Sequence, residues 1–405
     1  MGRVFVGHDW AEAHHDVFVE DAVGRRLVAT RLPEGLDGVR RFHELVAEHV
    51  EVPGEVLVAT ETNRGLFVTA LVAAGYEVIA VNPLSTSRYR ERLSTSGAKS
   101  DPGDARVLAE LARVDGHNHR RIAGDSDLAE AVKVLARAHQ TMIWTRTRHT
   151  NQIRSTLREF YPAALEAFDD LASGDALAVL AIAPTPTLGR SLSRSKIESA
   201  LRRGGRQRRV EERAAEIHTA LRPEHLEAPP VIADAMGASV AALIAVTVEL
   251  VAQIDRLEQE LTDRFEQHPD AKIIRSLPGL GTILGARALG EFGDDPNRFA
   301  DAKSRKNYAA TSPITRASGK HRVVLARYAR NHRLADVTYR WAFSALSASP
   351  GARTFYDHRR AHGDTHNRAL RALANRLVGI LHGCLTHRTL YDEHLAWNHR
   401  TQAAA

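Results

Sequence analysis

The chain has 405 residues, 43% of them hydrophobic and 26% charged, a size and balance that predict two or three soluble domains with real apolar cores. A single cysteine, Cys384, excludes an internal disulfide and any cysteine-based zinc site; its neighbours LVGILHGCLTHR read as a helix face that buries the thiol. The formal net charge of +6 suits a polyanionic partner, because cations that neutralise phosphates release condensed counterions.

Three strand-length runs open the chain, RVFVGHD, HDVFVED and RRLVATRL, each bounded by turn residues. The opening residues lack the basic-then-apolar pattern of a secretion signal. A helical segment (GLDGVRRFHELVAEH), a buried strand (VLVATE), a helix (GLFVTALVAAG), a strand (EVIAVNP) and a helix through DARVLAELARV follow. Three strands and then alternating helix and strand is the order of a mixed α/β layer with helices covering the sheet. Polar, glycine-containing punctuation (DGHNHRRIAGDSD) ends this first domain near Gly116.

From Ser126 to about Tyr161 the pattern is helical, with Ser126 or Asp127 as N-cap and Pro162 as terminator. A strongly basic segment follows, ALRRGGRQRRVEER, in which Arg202, Arg203, Arg206, Arg208 and Arg209 are candidate contacts to a nucleic-acid backbone; a solvated helix face is the plain alternative. Leu243, Thr247, Leu250, Ile254, Leu257 and Leu261 recur at alternating spacings of four and three, a heptad seam with one polar position. Packing within the chain and pairing with a second copy both fit, and self-association is the favoured reading. The stretch ASVAALIAVTVELVAQI contains Glu249 and reads as too short and mixed to span a bilayer, so the expected location is the cytoplasm. The last part begins near Ile273 and runs to the end as Arg- and His-rich helices and loops.

Four carboxylates stand out. Asp9 ends the first strand, Glu61 the fourth, and Asp101 and Asp104 open the helix after the fifth, three apart and so on one face. In an RNase H-like layer the first and fourth strands are neighbours, which brings these groups to one edge. Gathered acids repel unless a hard cation sits between them, and oxygen ligands of this kind suit Mg²⁺. Two such ions serve phosphodiester cleavage by activating the attacking oxygen and steadying the leaving one. Each residue also has a plain reading as a strand-end polar group or, for Asp101, a helix N-cap.

Around Ser318 the chain reads SPITRASGKHRVV, with Arg316, Lys320, His321 and Arg322 flanking the hydroxyl. Attack on a backbone phosphate by such a serine gives a phosphoserine ester and frees a sugar hydroxyl, and the ester conserves the energy of the broken linkage. Serine needs a base, a cation or a metal nearby to act so. Ser312 lies six residues upstream in the same loop; the following Gly319 favours Ser318. Upstream, LPGLGTILGARALGEFGD holds a glycine turn that either aims N–H groups at a phosphate or packs as a helical hairpin. His117-Asn118-His119 spells a nuclease motif whose residues are in fact dispersed in its own fold, and carries no weight.

The segments GHDWA, ATETNRG and KSDPGDARVLA resemble the Asp, Glu and Asp-x-x-Asp blocks of insertion-sequence transposases with an Asp-Glu-Asp-Asp, RuvC-like domain. LPGLGTILGARALGEFGD and NYAATSPITRASGKHR are similar to that family's C-terminal transposase blocks, and FYDHRRAHGDTHNRALRALANRLVGIL to its closing helices. The resemblance implies an α/β RNase H-like (RuvC-like) catalytic domain over 1–116, a helical region with basic segment and coiled coil over 117–270, and a mostly α transposase domain over 271–405. It further implies Mg²⁺ on Asp9, Glu61, Asp101 and Asp104 and Ser318 as covalent nucleophile; Arg316, Lys320 and Arg322 are candidate nucleic-acid contacts on the charge of the loop itself. A structured guide (bridge) RNA would pair with donor and target DNA, and a dimer or dimer of dimers would let one subunit's serine complete another's metal site. Two readings compete with the recombinase: a hydrolytic RuvC-like nuclease of the Holliday-junction resolvase type, which uses water in place of Ser318, and a non-catalytic nucleic-acid-binding protein.

Overall fold

The computed structural model describes residues 2–93, 100–122, 124–226, 228–319, 321–327 and 330–397. The chain divides into two compact units, Met1–Gly124 and Asp125–Ala405.

The first unit is built on one six-stranded sheet in the order β3-β2-β1-β4-β5-β6. Its strands are β1 (Val4–Trp10), β2 (His14–Glu20), β3 (Arg26–Pro33), β4 (Val56–Thr60), β5 (Glu77–Ala80) and β6 (Arg120–Arg121). β1 runs antiparallel to β2 and parallel to β4, which places the first and fourth strands side by side as the sequence predicts. This mixed sheet with covering helices is consistent with an RNase H-like domain. Its helices are α1 (Leu36–Ala47), α2 (Leu66–Ala73), α3 (Pro83–Leu93) and α4 (Asp101–Asp115).

Side chains alternate along each strand, so the sheet has two distinct faces. Val4, Val6, Val17, Val19, Val56 and Val58 point to one face and pack with Phe42 of α1 and Phe67 and Leu71 of α2. Leu57, Ala59 and Ile79 point to the other and pack with Leu108, Leu111 and Ala112 of α4. Gly7 lies on this second face: a Cβ built there would stand 1.8 Å from the carbonyl oxygen of Ala105 and 2.5 Å from the Ala109 nitrogen. Strand β1 and helix α4 therefore touch backbone to backbone, a contact that only glycine permits.

The second unit is mostly helical. Helix α5 (Asp127–Phe160) starts at Ser126, whose hydroxyl accepts from the Ala129 N–H. Five short helices occupy 162–220, and then α6 (Pro230–Glu266) runs 37 residues. Next come α7 (Thr282–Phe292), α8 (Ala302–Tyr308), the two-stranded ribbon β7 (Ile314–Ser318) with β8 (His321–Leu325), α9 (His332–Ala348), α10 (Pro350–Ala361) and α11 (His366–His387). Two cores form in this unit. Ile153 and Leu157 from late α5 share one with Val240 and Ile244 from early α6. Val132 and Ala136 from early α5 share the other with Leu261 and Phe265 from late α6, together with Leu289, Trp341 and Leu377. Helices α5 and α6 are thus an antiparallel pair.

The heptad seam reflects that pairing: Thr247, Ile254 and Leu261 are buried within the chain, and the Thr247 hydroxyl is satisfied by the Leu243 carbonyl at 2.7 Å. By length and composition alone α6 is long and apolar enough to cross a bilayer. The glycine turn before α7 has a packing role. Gly279 adopts φ +77° against the backbone of Ser344 and Ala345 in α9, and the Trp341 indole donates to the Pro278 carbonyl at 3.0 Å. Cys384 is buried in α11.

Replacing Gly7 by alanine forces β1 away from α4, an overpacking that costs about 3 kcal/mol or more where backbone stands on the other side. Urea unfolding of the Gly7→Ala protein should show a correspondingly lower midpoint for the first unit. A midpoint equal to wild type would mean that the strand and helix separate without strain.

Candidate functional site

The two-residue alternation that sorts the core also sorts the acids. Asp9 follows Phe5 and Gly7 onto the α4 face, and Glu61 follows Leu57 and Ala59. Asp16 pairs with Asp9 across the β1–β2 hairpin and so shares that face. Asp101 and Asp104 occupy the first turn of α4, where Ser100, not Asp101, is the N-cap: its hydroxyl accepts from the Gly103 N–H. This frees the Asp101 carboxylate, which is exposed, whereas Asp104 is buried.

Four carboxylates consequently act on Asp9. Burial pushes the Asp9 carboxyl up to about 6, helped by the negative charges of Asp104, Glu61, Asp101 and Asp16. Two of the five have cationic partners: Asp104 pairs with Arg90 of α3, and Asp16 accepts a two-pronged contact from Arg31 at 2.9 and 3.1 Å. Asp9, Glu61 and Asp101 have no ion pair among the described residues. Among the described residues the group whose ligand atoms all lie within 4.8 Å of one another is His14, Asp16 and Asp101; Asp9, Glu61 and Asp104 stand outside it. Sequence reasoning missed Asp16 and His14, although the hairpin register and the two-residue period carry the signal for Asp16.

Oxygen-rich donors with an excess of negative charge fit a hard divalent cation. The cation would offset the burial and repulsion that together raise the Asp9 carboxyl.

Behind the edge, on the opposite face, His8 shares hydrogen bonds with Thr60 (3.1 Å) and His15 (2.8 Å), and His15 reaches Glu34 at 2.6 Å. Both rings pack on Phe67, with centroids 4.8 and 4.1 Å away. Burial, reinforced by His15, pushes His8 down to about 3, so it stays neutral at physiological pH. This dry, hydrogen-bonded layer stiffens β1 immediately before Asp9.

In the second unit Ser318 sits at the exposed end of β7, paired with His321, and Gly319 takes φ +55° in the turn. Arg316 and Arg322 are exposed on the same ribbon, and Lys320 lies outside the described residues. Ser312 is placed differently: its hydroxyl is half-buried and donates to the Asn375 side chain at 3.3 Å. The basic run is largely neutralised locally. Arg206 binds Asp175 at 2.6 Å, Arg209 pairs with Glu212, and Arg202 lies 3.7 Å from Glu198. Arg203 and Arg208 are exposed and without an ion pair among the described residues.

Residues 6–162 match the DEDD-type transposase family of IS110, and residues 271–357 match the IS116/IS110/IS902 transposase family. The chain is 44% identical to the candidate mini-circle transposase for IS117 of Streptomyces coelicolor, over 99% of this chain and 98% of that protein. It is 29% identical to the uncharacterized 42 kDa protein of insertion element IS900 of Mycobacterium paratuberculosis, covering 96% and 97% of the two chains. It is 28% identical to the uncharacterized 43.6 kDa protein of IS110 of Streptomyces coelicolor, covering 97% and 96%.

The raised Asp9 carboxyl sets a pH dependence. An unfolded aspartate releases its proton near 3.8, the folded Asp9 only near 6, so the folded state holds more protons between these values. Stability from this group therefore falls as pH rises through that window and stays low above it. Asp9→Asn should unfold at higher urea than wild type at pH 7.5 without divalent cations, and the two should converge below pH 4. Added Mg²⁺ should narrow the gap by stabilising wild type more. An Asp9→Asn protein no more stable than wild type at pH 7.5 would contradict the repulsion argument.

Proposed function

This chain belongs to the IS110/IS116/IS902 family of insertion-sequence transposases, and we propose that it works as an Mg²⁺-dependent DNA recombinase that cuts and rejoins strands through a phosphoserine ester at Ser318, guided by a structured non-coding RNA. The observation that supports the reading is the gathering of Asp16, Glu61, Asp101 and Asp104 around Asp9, whose carboxyl is pushed up to about 6 by burial first and by their charge second. Asp9, Glu61, Asp101 and Asp104, joined by Asp16, would hold the metal. When bound, Mg²⁺ supplies positive charge to the attacking and leaving oxygens of a phosphodiester.

Ser318 supports the covalent half of the proposal. Its hydroxyl stands at the tip of a ribbon that projects cationic side chains, with Arg316 and Arg322 available to phosphate oxygens and His321 directly opposite. Attack there forms the phosphoserine bond and releases a sugar hydroxyl, which on reversal reseals a new strand without ATP. The half-buried Ser312, tied to Asn375, is less accessible to a DNA backbone. Donor and target DNA are the substrates, and the guide RNA pairs with both. A dimer or dimer of dimers would let the ribbon of one subunit meet the acidic edge of another. Arg203 and Arg208 are better placed for backbone contact than Arg206, which Asp175 engages.

The test incubates the protein with Mg²⁺, the element's flanking RNA and a donor–target DNA pair, and looks on denaturing gels for protein covalently attached to DNA. Wild type should give the adduct; Ser318→Ala and Asp9→Ala should each lower it by roughly a thousandfold or more. Free cut ends without adduct, unaffected by Ser318→Ala, would replace this reading with the hydrolytic nuclease.

A further inference from the structure

We infer that the cavity beside the base of the ribbon is a phosphodiester-binding site that grips a nucleic-acid strand a few nucleotides from Ser318. This rests on the proposal that the protein handles nucleic acid, though not on the serine chemistry. The cavity measures about 490 Å³ and lies between α8, α10, α11 and Val324 of the ribbon. Five cations line it and no carboxylate does: Lys306, Arg359, Arg368, Arg371 and Arg376. Asp364, nearby, engages two of them, Arg359 and Arg368, the latter at 2.9 Å. Arg376 donates to the Ala396 carbonyl at 2.5 Å and lies over Trp397. Lys306 and Arg371 have neither an ion pair nor a side-chain hydrogen bond among the described residues. Their charge is left for a ligand.

A neutral group completes the site. Thr311 and Ser312 donate their hydroxyls to the Asn375 carbonyl oxygen at 3.1 and 3.3 Å. That fixes the side chain and leaves its amide N–H donors without a partner among the described residues. A planar guanidinium, an ammonium and an amide donor suit phosphate oxygens, and phosphate contacts position a strand without reading its sequence. The position matters too. Val324 lies three residues along β8 from His321, the partner of Ser318. At about 3.4 Å per residue that is about 10 Å. A duplex rises about 3.4 Å per nucleotide of each strand, so the cavity meets the backbone about three nucleotides away.

The test is equilibrium binding by fluorescence anisotropy, in EDTA, over a series of KCl concentrations. The probes are duplex DNA, single-stranded DNA and RNA of equal length. Arg371→Gln should bind roughly tenfold more weakly, the order of one charge-assisted contact. Its plot of log affinity against log salt should be shallower by about 0.9 on duplex DNA or about 0.7 on a single strand. Arg371→Lys should restore the slope. A loss confined to DNA identifies a donor or target strand as the occupant, and one confined to RNA identifies the guide; both are phosphodiesters and both support the site. Thermal unfolding equal to wild type excludes misfolding, and if Arg371→Gln unfolds early, Lys306→Gln decides by the same readout. Wild-type affinity and slope on all three probes would overturn the inference. Because no cleavage is measured, absence of a phosphoserine adduct in the earlier assay would leave this result untouched.

Discussion

Gly7 brings strand β1 and helix α4 into backbone contact, and the acidic edge is assembled from that contact outward. Its strand carries Asp9 two residues further on, and its helix carries Asp101 and Asp104 in the first turn. A side chain at position 7 would hold the two elements apart and spread the acids. The buried face of α4 is accordingly rich in small residues, with Ala105, Ala109 and Ala112 where the sheet is nearest. Tight packing just behind the first turn of the helix thus sets the distances between the charges that this turn carries.

Those charges are a standing cost in the folded protein. Burial and mutual repulsion raise Asp9, and the structure relieves only part of this through Arg90 on Asp104 and Arg31 on Asp16. The remaining imbalance is what a divalent cation would offset. On the other side of the strand, His8, His15 and Thr60 form a neutral hydrogen-bonded layer against Phe67. The strand that bears Asp9 is therefore polarised across its thickness, charged toward α4 and uncharged toward α2.

Much of this was legible in the chain because the relevant signals are local. Strand-length runs bounded by turns marked β1 to β5, and Asp9 and Glu61 were visible as acids at strand ends. Asp16 was not, because its place on the edge depends on the register of a hairpin, which links residues seven apart. Helix α3 went unseen because PLSTSRYRERL has no apolar stripe, though it supplies the Arg90 that meets Asp104. The basic run shows the same limit from the other side: arginines are obvious in sequence, whereas Asp175, which neutralises Arg206, stands 31 residues away. The heptad seam left two partners open, a second copy being favoured; its buried positions Thr247, Ile254 and Leu261 face a helix of the same chain, which spacing alone does not distinguish.

That pairing turns the second unit into a counted structure. Helices α5 and α6, of 34 and 37 residues, carry one hydrophobic core at each end. At about 1.5 Å per residue each helix is roughly 50 Å long, and each added residue turns its far end by about 100°. A single insertion in the middle of either helix would rotate one core's contributions out of phase with the other's. Only lengths that restore the seam, near whole heptads and matched in both helices, keep both cores closed. The spacing between the two cores is thus quantised, and lineages that alter it are expected to do so in paired steps of about seven residues.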